Sequence, residues 1–174
     1  MRKLIAILLL LVLVASFAAC AKDDGVPDGM TNVAVESAKF YLYVPESWLS
    51  QSQGGVSGAI CPMGNANVIA TAYLPDVYLT PESYWTDKCL KDYGAALSEF
   101  TVIEAECATT TMGGINAHKY VFTHKMGEQV YKQMQVIAVD RAMVYTVQYT
   151  APVGEVYDTW LADAESVVAN FTLR

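Results

Sequence analysis

The chain has 174 residues and a mass of 19.0 kDa; 53% of its residues are apolar, and its net charge is −7 with a pI near 4.7. That length fits one domain, and a body of this size buries a core without metal or disulfide staples. The acidic balance excludes nucleic acid as a partner, since a polyanion needs a basic surface, and 11 Gly with 6 Pro exclude fibrous repeats and extensive disorder.

Arg2 and Lys3 form a short basic start, and residues 4–19 then run apolar with Ser16 as the interruption. That run is shorter than the roughly 20 residues a membrane-spanning helix needs, so residues 1–19 read as a secretory leader. Its end, Phe17-Ala18-Ala19-Cys20, resembles a bacterial lipobox, with Phe17 where Leu, Val or Ile is usual. The resemblance implies cleavage before Cys20 by signal peptidase II and a diacylglycerol on the cysteine thiol. The alternative is an ordinary leader cut after Ala19. Several acyl chains on one residue hold a protein on a membrane far better than one chain does. Residues 20–32, acidic and punctuated by Gly25, Pro27 and Gly29, read as a flexible tether. One domain, residues 33–174, then stands on the extracytoplasmic side of a bacterial cell membrane.

Residues 39–44 (KFYLYV) are a β-rich run stopped by Pro45, with Trp48 in the turn beyond. Residues 56–63 and 66–74 are two more apolar runs, separated by the turn signal Gly64-Asn65. Thr80-Pro81-Glu82 predicts a helix start, with Thr80 as N-cap, Pro81 at the first helical position and Glu82 in the first turn. Trp85, Cys89, Tyr93 and Leu97 continue that helix as one apolar stripe. Residues 100–112 read as a β-branched strand. Gly113-Gly114 turns it into residues 115–126, Gly127-Glu128 leads on into 129–139, and Asp140-Arg141 into 142–150. After Gly154, Val156, Trp160, Ala164 and Val167 recur at helical spacing, and Phe171-Thr172-Leu173 predicts a short final strand. The expected fold class is α+β, an antiparallel β-sheet with a long meander packed with helices.

The aromatic strand entering Pro45 and Trp48, the helix, the meander and the ending Val144-Tyr-Thr-Val-Gln-Tyr149, helix, Val168-Ala-Asn-Phe171 resemble the PsbP-like family. That resemblance covers nearly all of residues 33–174. It implies an α/β/α sandwich used more often for binding or scaffolding than for catalysis, and it transfers no functional residue.

Candidate chemistry is sparse. His118 and His124 share one face of a predicted strand with Tyr120 and Phe122 between them, roughly 20 Å apart, too far to share one ion. Cys61, Cys89 and Cys107 show no metal-ligand spacing; they are core thiols, or two of them form a disulfide. Glu104 and Glu106 are expected on one strand face, as a solvated pair rather than a catalytic one. Asp23, Asp24 and Asp28 do not form an EF-hand loop, and no nucleophile elbow, Walker loop or dinucleotide fingerprint is present. The serine-rich loop 51–57 beside Trp48 is a candidate gate. The aromatics carry the stronger signal, because Tyr and Trp give large contact area at low entropy cost. Trp48, Tyr41, Tyr43, Tyr145 and Tyr149 are therefore the expected partner-binding surface. The expectation is a membrane-anchored lipoprotein, non-catalytic and without cofactor, that binds another envelope protein. The alternative is a small-ligand or metal-ion binding lipoprotein serving an envelope transporter.

Overall fold

The computed structural model describes residues 25–174. Met30–Asn32 (β1) pairs antiparallel with Tyr43–Pro45 (β3), and Phe40–Tyr41 (β2) lies between them in the chain. The folded body therefore begins at Met30 rather than at residue 33: the end of the expected tether is bound into a strand, and the Glu46 amide donates to the Gly29 carbonyl (3.0 Å). Leu49–Ser50 (β4), Ser57–Ile60 (β5) and Asn67–Tyr73 (β6) follow, with β5 and β6 paired across the turn at Gly64-Asn65.

The next helix starts later than the sequence predicts. Thr80 and Ser83 exchange bonds, Thr80 N–H to Ser83 Oγ (2.8 Å) and Ser83 N–H to Thr80 Oγ1 (3.1 Å), which closes a single turn. The Tyr120 hydroxyl donates to the Pro81 and Glu82 carbonyls (2.8 and 2.9 Å), acceptors that a continuing helix would need. Helix α1 is Asp87–Ala96 instead, capped by Thr86, whose side chain accepts from the Cys89 amide. Trp85 thus precedes the helix and Leu97 is its C-cap, so only Cys89 and Tyr93 of the stripe are helical.

The stretch expected as one strand over residues 100–112 is two. Ser98–Val102 (β7) and Ala108–Met112 (β8) are separated by a 3-10 turn over Glu104–Glu106, so those two carboxylates do not share a strand face. Ile115–Met126 (β9) has 12 residues, long enough to pair with β7 and β8 in tandem. Gln129–Asp140 (β10) and Met143–Pro152 (β11) complete the meander, Glu155–Ala169 (α2) follows, and Thr172–Leu173 (β12) pairs with β2. The main sheet has eight strands, with β4-β5-β6-β11-β10-β9-β7 in order and β8 also on β9.

Alternation divides the sheet into two buried faces. Val121, Met134, Val136, Val147 and Tyr149 point to the face covered by α2, Phe40, Leu42, Trp48 and Phe171. Tyr120, Ile137 and Val144 point to the other, covered by Leu79, Tyr84 and Trp85. The α+β architecture is the one expected, with both sheet faces occupied.

Candidate functional site

The leader, Cys20, Asp23 and Asp24 lie outside the described residues. Of the aromatics expected at a binding surface, the structure buries Trp48, Tyr43, Tyr145 and Tyr149, which are 3%, 6%, 5% and 0% exposed. Tyr149 donates to the Tyr157 carbonyl (2.8 Å), and the Trp48 indole N–H donates to Asp163 (3.3 Å) while its ring meets Trp160 edge-on. Alternation had placed these rings on shared faces correctly. It does not say that α2 and the β1–β3 layer lie over them. Tyr41 alone stays half-buried, beneath the Arg174 guanidinium at 4.5 Å.

Among the described residues, three strongly exposed apolar side chains fall in the segment between β6 and α1. Leu74, Val77 and Tyr78 are 69%, 64% and 85% exposed within one loop. The chain on either side is fixed. Tyr73 ends β6 opposite Val144. Downstream, Trp85 stacks on Tyr120 (4.7 Å between centroids) and on Tyr93 (5.3 Å), meets Phe122 (5.2 Å), and donates its indole N–H to Gln135 (3.1 Å). Each such aromatic contact stabilises by about 0.5–1.5 kcal/mol beyond burial, so the loop hangs from rigid ends. Between the loop and α1 runs a groove of about 410 Å3, walled by Tyr73, Val77, Leu79, Tyr84 and Tyr93. Burial, then the hydrogen bond with Tyr73, push the Tyr84 phenol far above the ordinary tyrosine range. Burial likewise raises Tyr93 against the hydrogen bond from Gln135. Both phenols are neutral at any physiological pH and offer polar handles in an apolar wall.

The histidines bracket the same aromatic row on β9. His118 lies 4.6 Å from Tyr120 between ring centroids, and His124 lies 6.3 Å from Phe122 and 6.0 Å from Tyr131. His118 Nδ1 and His124 Nε2 are buried without hydrogen-bond partners, and burial lowers the His124 pKa. The strand holds them at opposite ends of the row. Among the described residues no group of three or more His, Cys, Asp or Glu is placed to hold a metal ion. Cys61, Cys89 and Cys107 form no disulfide with one another; Cys61 lies against Asn65 and Cys107 against the Val121 amide. Loop 51–57 is braced rather than gate-like: Ser52 Oγ donates to the Val33 carbonyl, and Ser57 Oγ accepts from the Val35 amide.

No family model matches the chain, and no curated protein matches it. Solved structures do. Cyanobacterial PsbP from Synechocystis aligns with a TM-score of 0.56 and 12% identity over 90% of this chain and 98% of its own. The Ran-binding protein Mog1p of Saccharomyces cerevisiae aligns at 0.56 and 7% over 83% and 95%. LpqN of Mycobacterium tuberculosis, described as involved in cell envelope biogenesis, aligns at 0.52 and 17% over 83% and 90%. At these identities the likeness is one of fold, and the chain is an α+β sandwich of the PsbP/Mog1-like kind.

Proposed function

We propose that this protein is a lipid-anchored extracytoplasmic binding module, tethered to the bacterial envelope through Cys20 and acting without chemistry of its own. The observation that carries the reading is the loop of residues 74–78, which holds Leu74, Val77 and Tyr78 in solvent beside an aromatic groove. Large apolar side chains clustered on a rigidly hung loop mark protein-binding surfaces. The lipobox-like end of the leader supports the location, and the fold shared with an envelope-biogenesis protein agrees with it.

Site-specific photo-crosslinking in cells tests this. A photoreactive residue at Val77 or Tyr78 should trap one discrete envelope protein, and a probe at Glu128, in the β9–β10 turn, should not. Cys20→Ser should abolish the adduct by misplacing the domain. Equal labelling from positions 78 and 128 refutes the surface. A second reading, a carrier of a small apolar ligand, rests on the groove itself. It predicts a rise in melting temperature with one ligand class, lost in Tyr84→Ala.

A further inference from the structure

Positive charge gathers at one place in this acidic chain. Apart from Arg2, the sequence has two arginines, Arg141 and Arg174, and both line a groove of about 440 Å3 where β10 turns into β11. Lys39 lines it as well, so three basic residues and one acidic residue, Asp140, line the groove in a protein of net charge −7.

The cations are set in different ways. Arg174 is held by its surroundings: Nη1 donates to the Glu36 and Ala38 carbonyls (2.6 and 3.2 Å), and the guanidinium lies over the Tyr41 ring. Arg141 and Ala142 occupy the turn at φ 47° and 68°, a left-handed pair that Asn-Gly would adopt with less strain. The Arg141 side chain is 92% exposed, and its Nε stands 3.7 Å from Asp140 Oδ2, beyond hydrogen-bond length. Lys39 has no ion-pair partner among the described residues.

Tyr145 supplies a second, independent feature. It is 5% exposed and lines the groove, yet its hydroxyl is bonded to the Met143 sulfur at 3.8 Å, a weak acceptor. Burial, then Asp140, raise its pKa against the pull of Arg141, so the phenol keeps its proton as a donor. Met143 and Leu173 give the groove an apolar wall.

We propose that this groove binds the dianionic phosphate of a phosphate monoester, with Lys39, Arg141 and Arg174 as its counter-charges and the Tyr145 hydroxyl as a neutral donor. Three basic side chains against the single Asp140 carboxylate leave the side chains of the groove net positive, which favours an anionic ligand. Guanidinium forks suit phosphate oxygens geometrically. The apolar wall accommodates the ester carbon chain. The groove shares no lining residue with the aromatic groove beside the 74–78 loop.

Isothermal titration of the full-length protein in uncharged detergent, first with inorganic phosphate and then with butyl phosphate, is the test. Saturable one-site binding is expected, tighter for butyl phosphate. Lys39→Gln and Arg141→Gln, both exposed side chains, should each weaken it about tenfold. Tyr145→Phe should weaken it several-fold with an unchanged far-UV circular dichroism spectrum. Phosphatidic acid in mixed micelles forms the second arm. Arg141-dependent binding of the lipid but not of butyl phosphate places the phosphate on a membrane headgroup, and the reverse places it on a soluble ester. No saturable binding of any of these phosphates, or binding indifferent to Lys39→Gln and Arg141→Gln, overturns the proposal.

Discussion

Gly113→Ala should be among the most damaging single-methyl changes in the molecule. An alanine Cβ there would lie 1.7 Å from the Phe171 carbonyl oxygen, against a floor near 3.0 Å for real contacts, so one backbone must retreat by more than an ångström. Gly113 also donates its amide to the Val168 carbonyl (3.0 Å), the bond that ties the β8–β9 turn to the end of α2. The left-handed φ of 54° adds about 1 kcal/mol for any L-residue, overpacking about 1–3, and the lost hydrogen bond about 1, for a total of about 3–5 kcal/mol. Gly114 is the internal control. Its φ is 81° and a Cβ there meets nothing within 4 Å, so Gly114→Ala should cost only about 1–2 kcal/mol. Urea unfolding followed by tryptophan fluorescence measures both, and equal slopes validate the comparison. If the two variants agree within about 0.5 kcal/mol, the close approach to Phe171 is not what holds the turn, and the argument fails. The contact also bears on the proposed phosphate groove, because displacing Phe171 would shift Leu173 and Arg174 with it.

Trp85→Ala removes the centre of the aromatic cluster and its bond to Gln135, and should cost about 3–5 kcal/mol in the same assay while collapsing the near-UV circular dichroism. A loss under about 1 kcal/mol would mean that the Leu79–Trp85 cover is not packed on the sheet. Tyr149→Phe deletes a fully buried hydroxyl and its bond to the Tyr157 carbonyl, for about 1 kcal/mol by chemical denaturation; a neutral result would deny that bond. Burial holds the His124 pKa below the ordinary histidine value, so the unfolded chain binds the extra proton first. Stability should therefore fall as pH drops below about 6.5 and level off beneath the folded pKa. In His124→Gln that acid-side slope should shrink, and an unchanged slope would place the titration elsewhere.

Much of the fold was legible because it is specified by neighbours in the chain. Gly113-Gly114 and Gly127-Glu128 each make a tight turn, because turn chemistry is local, while the third turn falls one residue later than expected, at Arg141-Ala142. The final helix follows from Val156, Trp160, Ala164 and Val167 at helical spacing, since periodicity survives whatever it packs against. The two misplaced elements were decided by distant partners. Thr80-Pro81-Glu82 carries good capping chemistry, yet Tyr120, some forty residues on, occupies the carbonyls of the first turn. The run over residues 100–112 is β-rich throughout, but β9 takes it as two strands, with the Glu104–Glu106 turn between.

The site was less legible than the fold, for a related reason. Side-chain alternation states which residues share a sheet face, and Tyr145 and Tyr149 do share one. Whether a second layer lies over that face depends on where α2 and β1–β3 dock, which is a property of the whole chain. Sequence alone thus told the aromatic faces from their neighbours. Tertiary packing decided that Trp48, Tyr43, Tyr145 and Tyr149 are buried and that Leu74, Val77 and Tyr78 meet solvent. It also brought Lys39, Arg141 and Arg174 around one groove from three separate stretches of chain. Turns and helical periodicity are written in neighbouring residues, whereas cover and charge clustering arise only when remote segments meet.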